Sequence, residues 1–435
     1  MKNTKKLFCL LLALVMTMAM VACGGGNTTT EPTEPVEQVT DASGQRIYEG
    51  VKLVYWSNWE AVETQGMIIT EAVNEFMEET GAIVDLQFKG RTGIKEGLIP
   101  ALDADQQVDL FDGAGNKSNY GDRIISVEDL MSDEYEAAGN AAMMALCRSY
   151  YADGQTREIP YQMKGNGVFY NKDLFAQAGI ETVPATWAEF VDVCAKLQAA
   201  GITPLTTDDA YTPQQFGIHL ARMLGTDAVK AVVNDGLWAE TPEVLATAQA
   251  IESLAKEGYY STLVASNAFP TGQNTEFATG MVAMYVNGSW LPNEVRSITG
   301  DTFNWGFFNY PEVDGGINGT EAMVIGCQSF AITNKCENTE AAFALIAKIT
   351  RGSWDAKLAE GTLGLPIDNA NTEWPTQLAD CKPYFDACTE IFAVSGGLEN
   401  NPDITPSLKP NLQLLYSGAI TAQEFVDAME TASQG

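Results

Sequence analysis

Histidine is nearly absent from this sequence: among 435 residues, His219 is the only one. A Ser-His-Asp or Cys-His nucleophile needs an imidazole base, and zinc sites draw on several histidine or cysteine ligands at set spacings. His219 lies in the stretch Phe216-Gly217-Ile218-His219-Leu220 and reads as a satisfied helix residue rather than a catalyst. Basic residues are scarce as well: 25 lysines and arginines face 57 acidic residues, for a formal net charge of -32. Such a chain repels nucleic acid and anionic lipid headgroups. The charge names no ligand; it solubilises the surface. Beyond the N-terminus no apolar run is long enough to span a bilayer. No cysteine pair has the Cys-x-x-Cys spacing of a metal or redox motif. These absences leave no catalytic residue, no metal and no cofactor to expect.

What is present begins with an address. Lys2, Lys5 and Lys6 precede an apolar segment from Leu7 to Met20, the arrangement of a secretory signal. Met20-Val21-Ala22-Cys23 follows. It resembles the lipobox of bacterial lipoproteins, with Met20 where leucine is commoner. The resemblance implies removal of residues 1–22, lipidation of Cys23 and anchoring of the body outside the cell membrane. Residues 23–48 are rich in Gly, Thr, Glu and Pro, can bury little apolar surface, and are expected to form a flexible tether. Cys147, Cys194, Cys327, Cys336, Cys381 and Cys388 remain. An exported compartment permits disulfides. Either Cys381 pairs with nearby Cys388, or all stay buried free thiols.

The length suits two domains, and 46% hydrophobic residues support a real core. Val51–Trp56 reads as a buried strand, Met67–Thr80 as a helix with apolar Ile69, Ala72, Val73 and Phe76 on one face, and Gly81 as its stop. Ile83–Phe88 and Val108–Phe111 read as further strands. Strand, helix, strand in this order predicts an α/β fold with parallel pairing. Gly167–Tyr170, Ala283–Val286, Trp305–Phe308 and Met323–Thr333 are strand candidates. Thr186-Trp187-Ala188-Glu189 is a capping box opening a helix. Glu340–Thr350 is another amphipathic helix. Trp238 and Trp354 read as helix-packing residues, and Trp56 as either core or cleft.

The body resembles the extracellular solute-binding proteins of family 1, the maltose-binding-protein-like group serving sugar importers. The segments that carry the resemblance are Leu53-Val54-Tyr55-Trp56-Ser57-Asn58-Trp59, Val108-Asp109-Leu110-Phe111, Tyr170-Asn171-Lys172-Asp173-Leu174-Phe175, Asn287-Gly288-Ser289-Trp290 and Phe330-Ala331-Ile332. The resemblance implies a two-lobed periplasmic-binding-protein-like fold of type II, with a hinge of crossing strands and a ligand cleft between the lobes. Lobe one would comprise residues 51–157 and 329–363, lobe two 158–328 and 364–435. It implies capture of a carbohydrate, an oligosaccharide by expectation, and delivery to the membrane permease of an ABC importer by a monomer that performs no chemistry of its own.

A sugar offers hydroxyls that want directed partners and C–H faces that pack on aromatic rings, so its site combines Trp or Tyr plates with polar groups. Asn58, Trp59 and Glu60 follow the first strand's C-terminal end, where open α/β sheets place ligands. Trp290 occupies the matching place on the other lobe as the expected stacking plate. Arg91 follows the second strand, Asp112 and Asn116 the third, and Tyr161, Gln162 and Lys164 sit at the hinge. Three other readings compete, one of them a sensory or adhesive surface lipoprotein that never delivers substrate. A non-sugar solute such as a polyamine or phosphate ester would want cleft carboxylates or cations and amide donors. A glycoside hydrolase would want two carboxylates roughly 5 to 10 Å apart.

Overall fold

The computed structural model describes residues 37–434; the expected signal segment 1–22 and Cys23 lie outside the described residues. Strand β1 (Lys52–Ser57) is followed by helix α1 (Thr64–Thr80), β2 (Ile83–Phe88), α2 (Gly90–Asp103) and β3 (Leu110–Ala114). β1 pairs in parallel with both β2 and β3, as the strand–helix–strand order predicts. α1 buries Ile69, Ala72, Val73 and Phe76, the stripe read from sequence. It stops at Gly81, whose φ of 79° lies in the left-handed region that glycine enters without a Cβ clash.

That stop has a consequence upstream. The last carbonyls of a helix have no partner within it. Those of Glu79 and Thr80, with that of Gly81, accept the backbone N–H groups of Val39, Tyr48 and Gly50. The end of the expected tether is therefore bonded to the body from Val39 onward. Its composition carries no trace of a helix end so far along the chain.

The chain continues through α3 (Ala141–Ser149), β4 (Ile159–Asn171), α4 (Trp187–Ala199), β5 (Thr203–Thr206), α5 (Thr212–Leu224), β6 (Val282–Gly288), β7 (Trp305–Phe308), β8 (Ala322–Ile332), α6 (Thr339–Thr350), α7 (Gly352–Thr362) and β9 (Glu390–Phe392), with further helices between and after them. α4 opens with the expected capping box. Thr186 Oγ1 accepts the Glu189 N–H, and the Glu189 carboxylate accepts the Thr186 N–H. All strands join one sheet in the order β2-β1-β3-β8-β4-β6-β5, with β7 on β4 and β9 on β8.

β4 and β8 set the plan. β4 begins beside the end of β8, pairing Ile159 with Phe330, while its far half pairs with β6 through Asn166–Tyr170. The end of β8 also pairs with β3. Two antiparallel strands thus run from one lobe into the other. Leu53, Ile69, Phe76, Ile332 and Ile346 pack one core. Phe190, Leu197, Phe216, Trp238 and Phe308 pack the other. The result is a two-lobed α/β fold. A third cluster lies at the crossing, where Met143 and Cys147 of α3 meet Met163, Cys327 and Leu365. α3 falls in the stretch assigned from sequence to lobe one. Periodicity tells which of its residues are buried, but not against which lobe.

His219 lies buried in α5 with Nδ1 3.1 Å from the Tyr310 hydroxyl, and burial pushes its pKa down to about 3. It packs, as expected. Trp56 is core: it is buried beside Leu98 and Phe111. The cysteines from Cys147 to Cys388 are all free, so Cys381 and Cys388 do not pair. Among the described residues no helix is long and apolar enough to cross a membrane.

Candidate ligand cleft

Where β4 and β8 cross, the lobes enclose a cavity of about 330 Å³. Its floor is the crossing itself. Tyr161 lies opposite Gln328 and Met163 opposite Cys327, so Gln162 is an extra residue, a bulge with φ of 47°. A non-glycine residue held there is strained, and such strain gathers at ligand sites. The bulge brings Gln162 to the cavity wall with Lys164. Gln162 Nε2 donates to Thr362 Oγ1 at 2.8 Å, and that hydroxyl donates its own proton to Leu358 O at 2.6 Å. The orientation of the amide is thereby settled. Gln162 Oε1 is left buried without a donor among the described residues, and so is Gln328 Oε1. Buried acceptors are normally paired; both of these residues line the cavity.

One wall comes from lobe one. Trp59 leaves the end of β1, Glu63 and Gln65 stand at the start of α1, and Arg91 lies in the first turn of α2. Arg91 stands over the Trp59 ring, 4.7 Å from its centroid, and pairs with Glu63 at 2.6 Å. Behind the ring a polar relay holds it. Trp59 Nε1 donates to the Tyr161 hydroxyl at 2.8 Å, which donates to Asp112 Oδ2 at 2.5 Å. Asp112 also accepts the Asn58 N–H and Asn58 Nδ2, each at 3.0 Å. Burial raises the Asp112 carboxyl, and these hydrogen bonds oppose the shift.

The facing wall comes from lobe two. β6 ends at Gly288, and Ser289, Trp290, Asn293 and Glu294 line the cavity. Trp290 Nε1 donates to the Tyr211 hydroxyl at 2.7 Å. Tyr211 is itself seated by Asp208, which accepts its backbone N–H at 2.7 Å and the Tyr285 hydroxyl at 3.0 Å. The Trp290 ring lies so close over Gly288 that a Cβ there would stand 2.2 Å from a ring carbon. Glu294 accepts Asn274 Nδ2 at 3.1 Å, and desolvation pushes its pKa up to about 7.

Of the residues expected from sequence, Trp59, Arg91, Gln162, Lys164 and Trp290 meet in this one cavity. Asn58, Asp112 and Tyr161 stand behind its wall as the relay supporting Trp59. Glu60 and Asn116 are not in the wall. Glu60 is exposed over Gly90, and Asn116, exposed with φ of 66°, turns back to accept the Ser118 hydroxyl at 2.7 Å. Both follow strand ends, but the chain turns away before their side chains reach the cleft. Sequence reasoning did not single out Glu63, Gln65, Gln328, Glu294 or Thr362. Glu63 and Gln65 carried a signal, since they follow a strand's C-terminal end just where α1 starts. Gln328 and Thr362 carried none, because only the crossing of distant segments brings them together.

The family profile described as bacterial extracellular solute-binding protein matches residues 60–351. The chain belongs to that family. A solute-binding protein's cleft between lobes is what the geometry above describes. Its relatives include a protein of Brucella abortus (strain 2308) whose name assigns it binding and no ligand. The two are 26% identical over 279 residues, which span 61% of this chain and 64% of that protein's length. The sn-glycerol-3-phosphate-binding periplasmic protein UgpB of Salmonella paratyphi A (strain ATCC 9150 / SARB42) is 26% identical over 316 residues, 66% of this chain and 69% of its own. Among solved structures, a chitin oligosaccharide binding protein superposes with a TM-score of 0.72 at 19% identity, covering 88% of this chain and 98% of its own. A secreted solute-binding lipoprotein from Streptomyces coelicolor does so at 0.74 and 16%, covering 88% and 98%. At these identities the superpositions establish the two-lobed fold.

Proposed function

We propose that this solute-binding protein captures a carbohydrate, closes its lobes on it and delivers it to the membrane permease of an ABC importer, as a monomer tethered through a lipidated Cys23. One observation carries the choice of ligand. A tryptophan from each lobe walls the cleft, and the floor between them offers the unpaired oxygens of Gln162 and Gln328. Acceptors of that kind want a ligand that donates, as hydroxyls do, and the rings offer faces to the C–H surface between hydroxyls. The chitin oligosaccharide binding protein of the same fold is consistent with this class. No reaction is proposed, since capture and release require none, and Glu63 among the cleft carboxylates is tied to Arg91.

A phosphate ester is the second reading. Arg91 and Lys164 favour it within the cleft, and the UgpB relative is named for one. A thermal-shift screen of the body against mono- and oligosaccharides, with sn-glycerol 3-phosphate and polyamines alongside, separates the readings. A ligand that binds only the folded state raises the melting temperature. A rise confined to polyamines or glycerol phosphate would refute the carbohydrate assignment.

Lobe closure adds a pH signature. Glu294 ionises near pH 7, and a carboxylate accepts a hydroxyl more strongly than a neutral carboxyl does. Sugar affinity should therefore climb between roughly pH 6 and 8 and level off above. Calorimetric titration of Glu294→Gln should give a flat profile over that range. An unchanged profile would remove Glu294 from the ligand's contacts.

A further inference from the structure

We propose that the natural ligand carries an anionic group, a carboxylate or a phosphate ester on a hydroxylated frame, that is received by Lys164 at the floor of the cleft. The proposal rests on the ligand cleft described above, and it holds for an acidic carbohydrate as for the phosphate ester of the second reading. Every other cation around the crossing has a carboxylate of its own. Arg91 is held by Glu63 at 2.6 Å, and buried Lys117 lies 3.7 Å from buried Glu158. Lys164 has neither an ion pair nor a hydrogen bond to its ammonium among the described residues. Glu294 shares the cavity and accepts Asn274 Nδ2, and among the described residues it forms no ion pair with Lys164.

The place of Lys164 sharpens the point. It is half-buried on β4, two residues past the bulge at Gln162 and opposite Gly326. Gly326 offers no side chain to neutralise it. Burial holds its ammonium below the usual lysine range, and nearby Lys117 adds to the effect. A half-buried cation without a partner gives up part of its hydration with nothing in return. Such a residue is retained where something else supplies the charge. Nor is it an incident of a basic surface, because the chain carries a net charge of -32. The long-range field repels anions, so the attraction has to be local and specific. Lys164 supplies the charge contact while Gln162 and Gln328 supply acceptors on the same floor. A ligand that satisfies all of them has donors and a negative charge at once, as uronic acids and polyol phosphates do.

The test is isothermal titration of the folded body with matched pairs. These are D-galacturonate against D-galactose, digalacturonate against galactobiose, D-glucose 6-phosphate against D-glucose, and sn-glycerol 3-phosphate against glycerol. In at least one pair the anionic member should bind roughly 10- to 100-fold more tightly, the range of one charge-assisted contact. The carboxylate and phosphate pairs decide between the two sources. Lys164→Met should abolish that preference, and Lys164→Arg should retain it; the melting temperature of each variant checks its folding. Equal binding within every pair, or a preference that survives Lys164→Met, would overturn the inference. Binding confined to neutral sugars would overturn it and leave the carbohydrate reading standing. No binding by any hydroxylated compound would remove both.

Discussion

Glu158→Ala should lose about 3–5 kcal/mol of stability, more than any single substitution in the cleft wall. Glu158 is fully buried at the base of β4. It accepts the Lys117 N–H at 2.6 Å, the Tyr151 hydroxyl at 2.7 Å and the Ser329 hydroxyl at 2.6 Å, and it faces the Lys117 ammonium at 3.7 Å. Alanine leaves that ammonium buried without a counter-charge and orphans the other donors. The cost is therefore that of the stranded partner, not the small net worth of the pair. Two variants separate these quantities. Glu158→Gln keeps the acceptor and should lose less. Lys117→Met in the Glu158→Gln background should recover part of the loss, because the unpaired charge is gone. Calorimetric melting of the series checks both. A loss under about 1 kcal/mol for Glu158→Ala would place the pair in water, contrary to its burial here.

The largest effects on binding should come from the lobe-two plate and from a residue beneath it that touches no ligand. Trp290→Ala removes the plate on lobe two and should weaken sugar binding roughly 100-fold, as loss of a buried aromatic anchor does at other interfaces. Gly288→Ala keeps the tryptophan but takes its seat. A Cβ there would stand within 2.2 Å of the ring, so the ring must swing off β6 and break the hydrogen bond from Nε1 to Tyr211. Its loss of affinity should approach that of Trp290→Ala. The pairing of Gly288 with Asn166 is made by backbone, so the sheet should survive. Titration with a sugar that shifts the melting temperature reads the result. Wild-type affinity in Gly288→Ala would mean that the orientation of Trp290 is immaterial to the ligand.

The parts of this protein that are local in sequence were legible there. The stripe of α1 and its stop at Gly81, the capping box at Thr186 and the strands at Val51, Ile83 and Trp305 all rest on interactions within a few residues. So do the tryptophans that follow strand ends. The roles within the cleft were less legible. Asn58, Asp112 and Tyr161 have the right chemistry for a sugar, but they bond to one another and to Trp59. Residue type does not reveal whether a polar group already has a partner. Glu60 and Asn116 failed for a related reason, since one backbone turn decides whether a side chain meets the cleft or solvent.

By itself the sequence determined the α/β class and the aromatic residues that follow strand ends, because periodicity and caps are properties of the chain as written; the two lobes were what the family resemblance implied. Only the tertiary structure decided which polar groups stay unsatisfied. Gln162, Lys164, Gln328, Trp290 and Thr362 come from segments far apart in sequence. Whether each finds a protein partner depends on the register of β4 against β8 and on the single extra residue at Gln162. That register is set by the packing of both lobes at once, and so no short stretch of sequence can encode it.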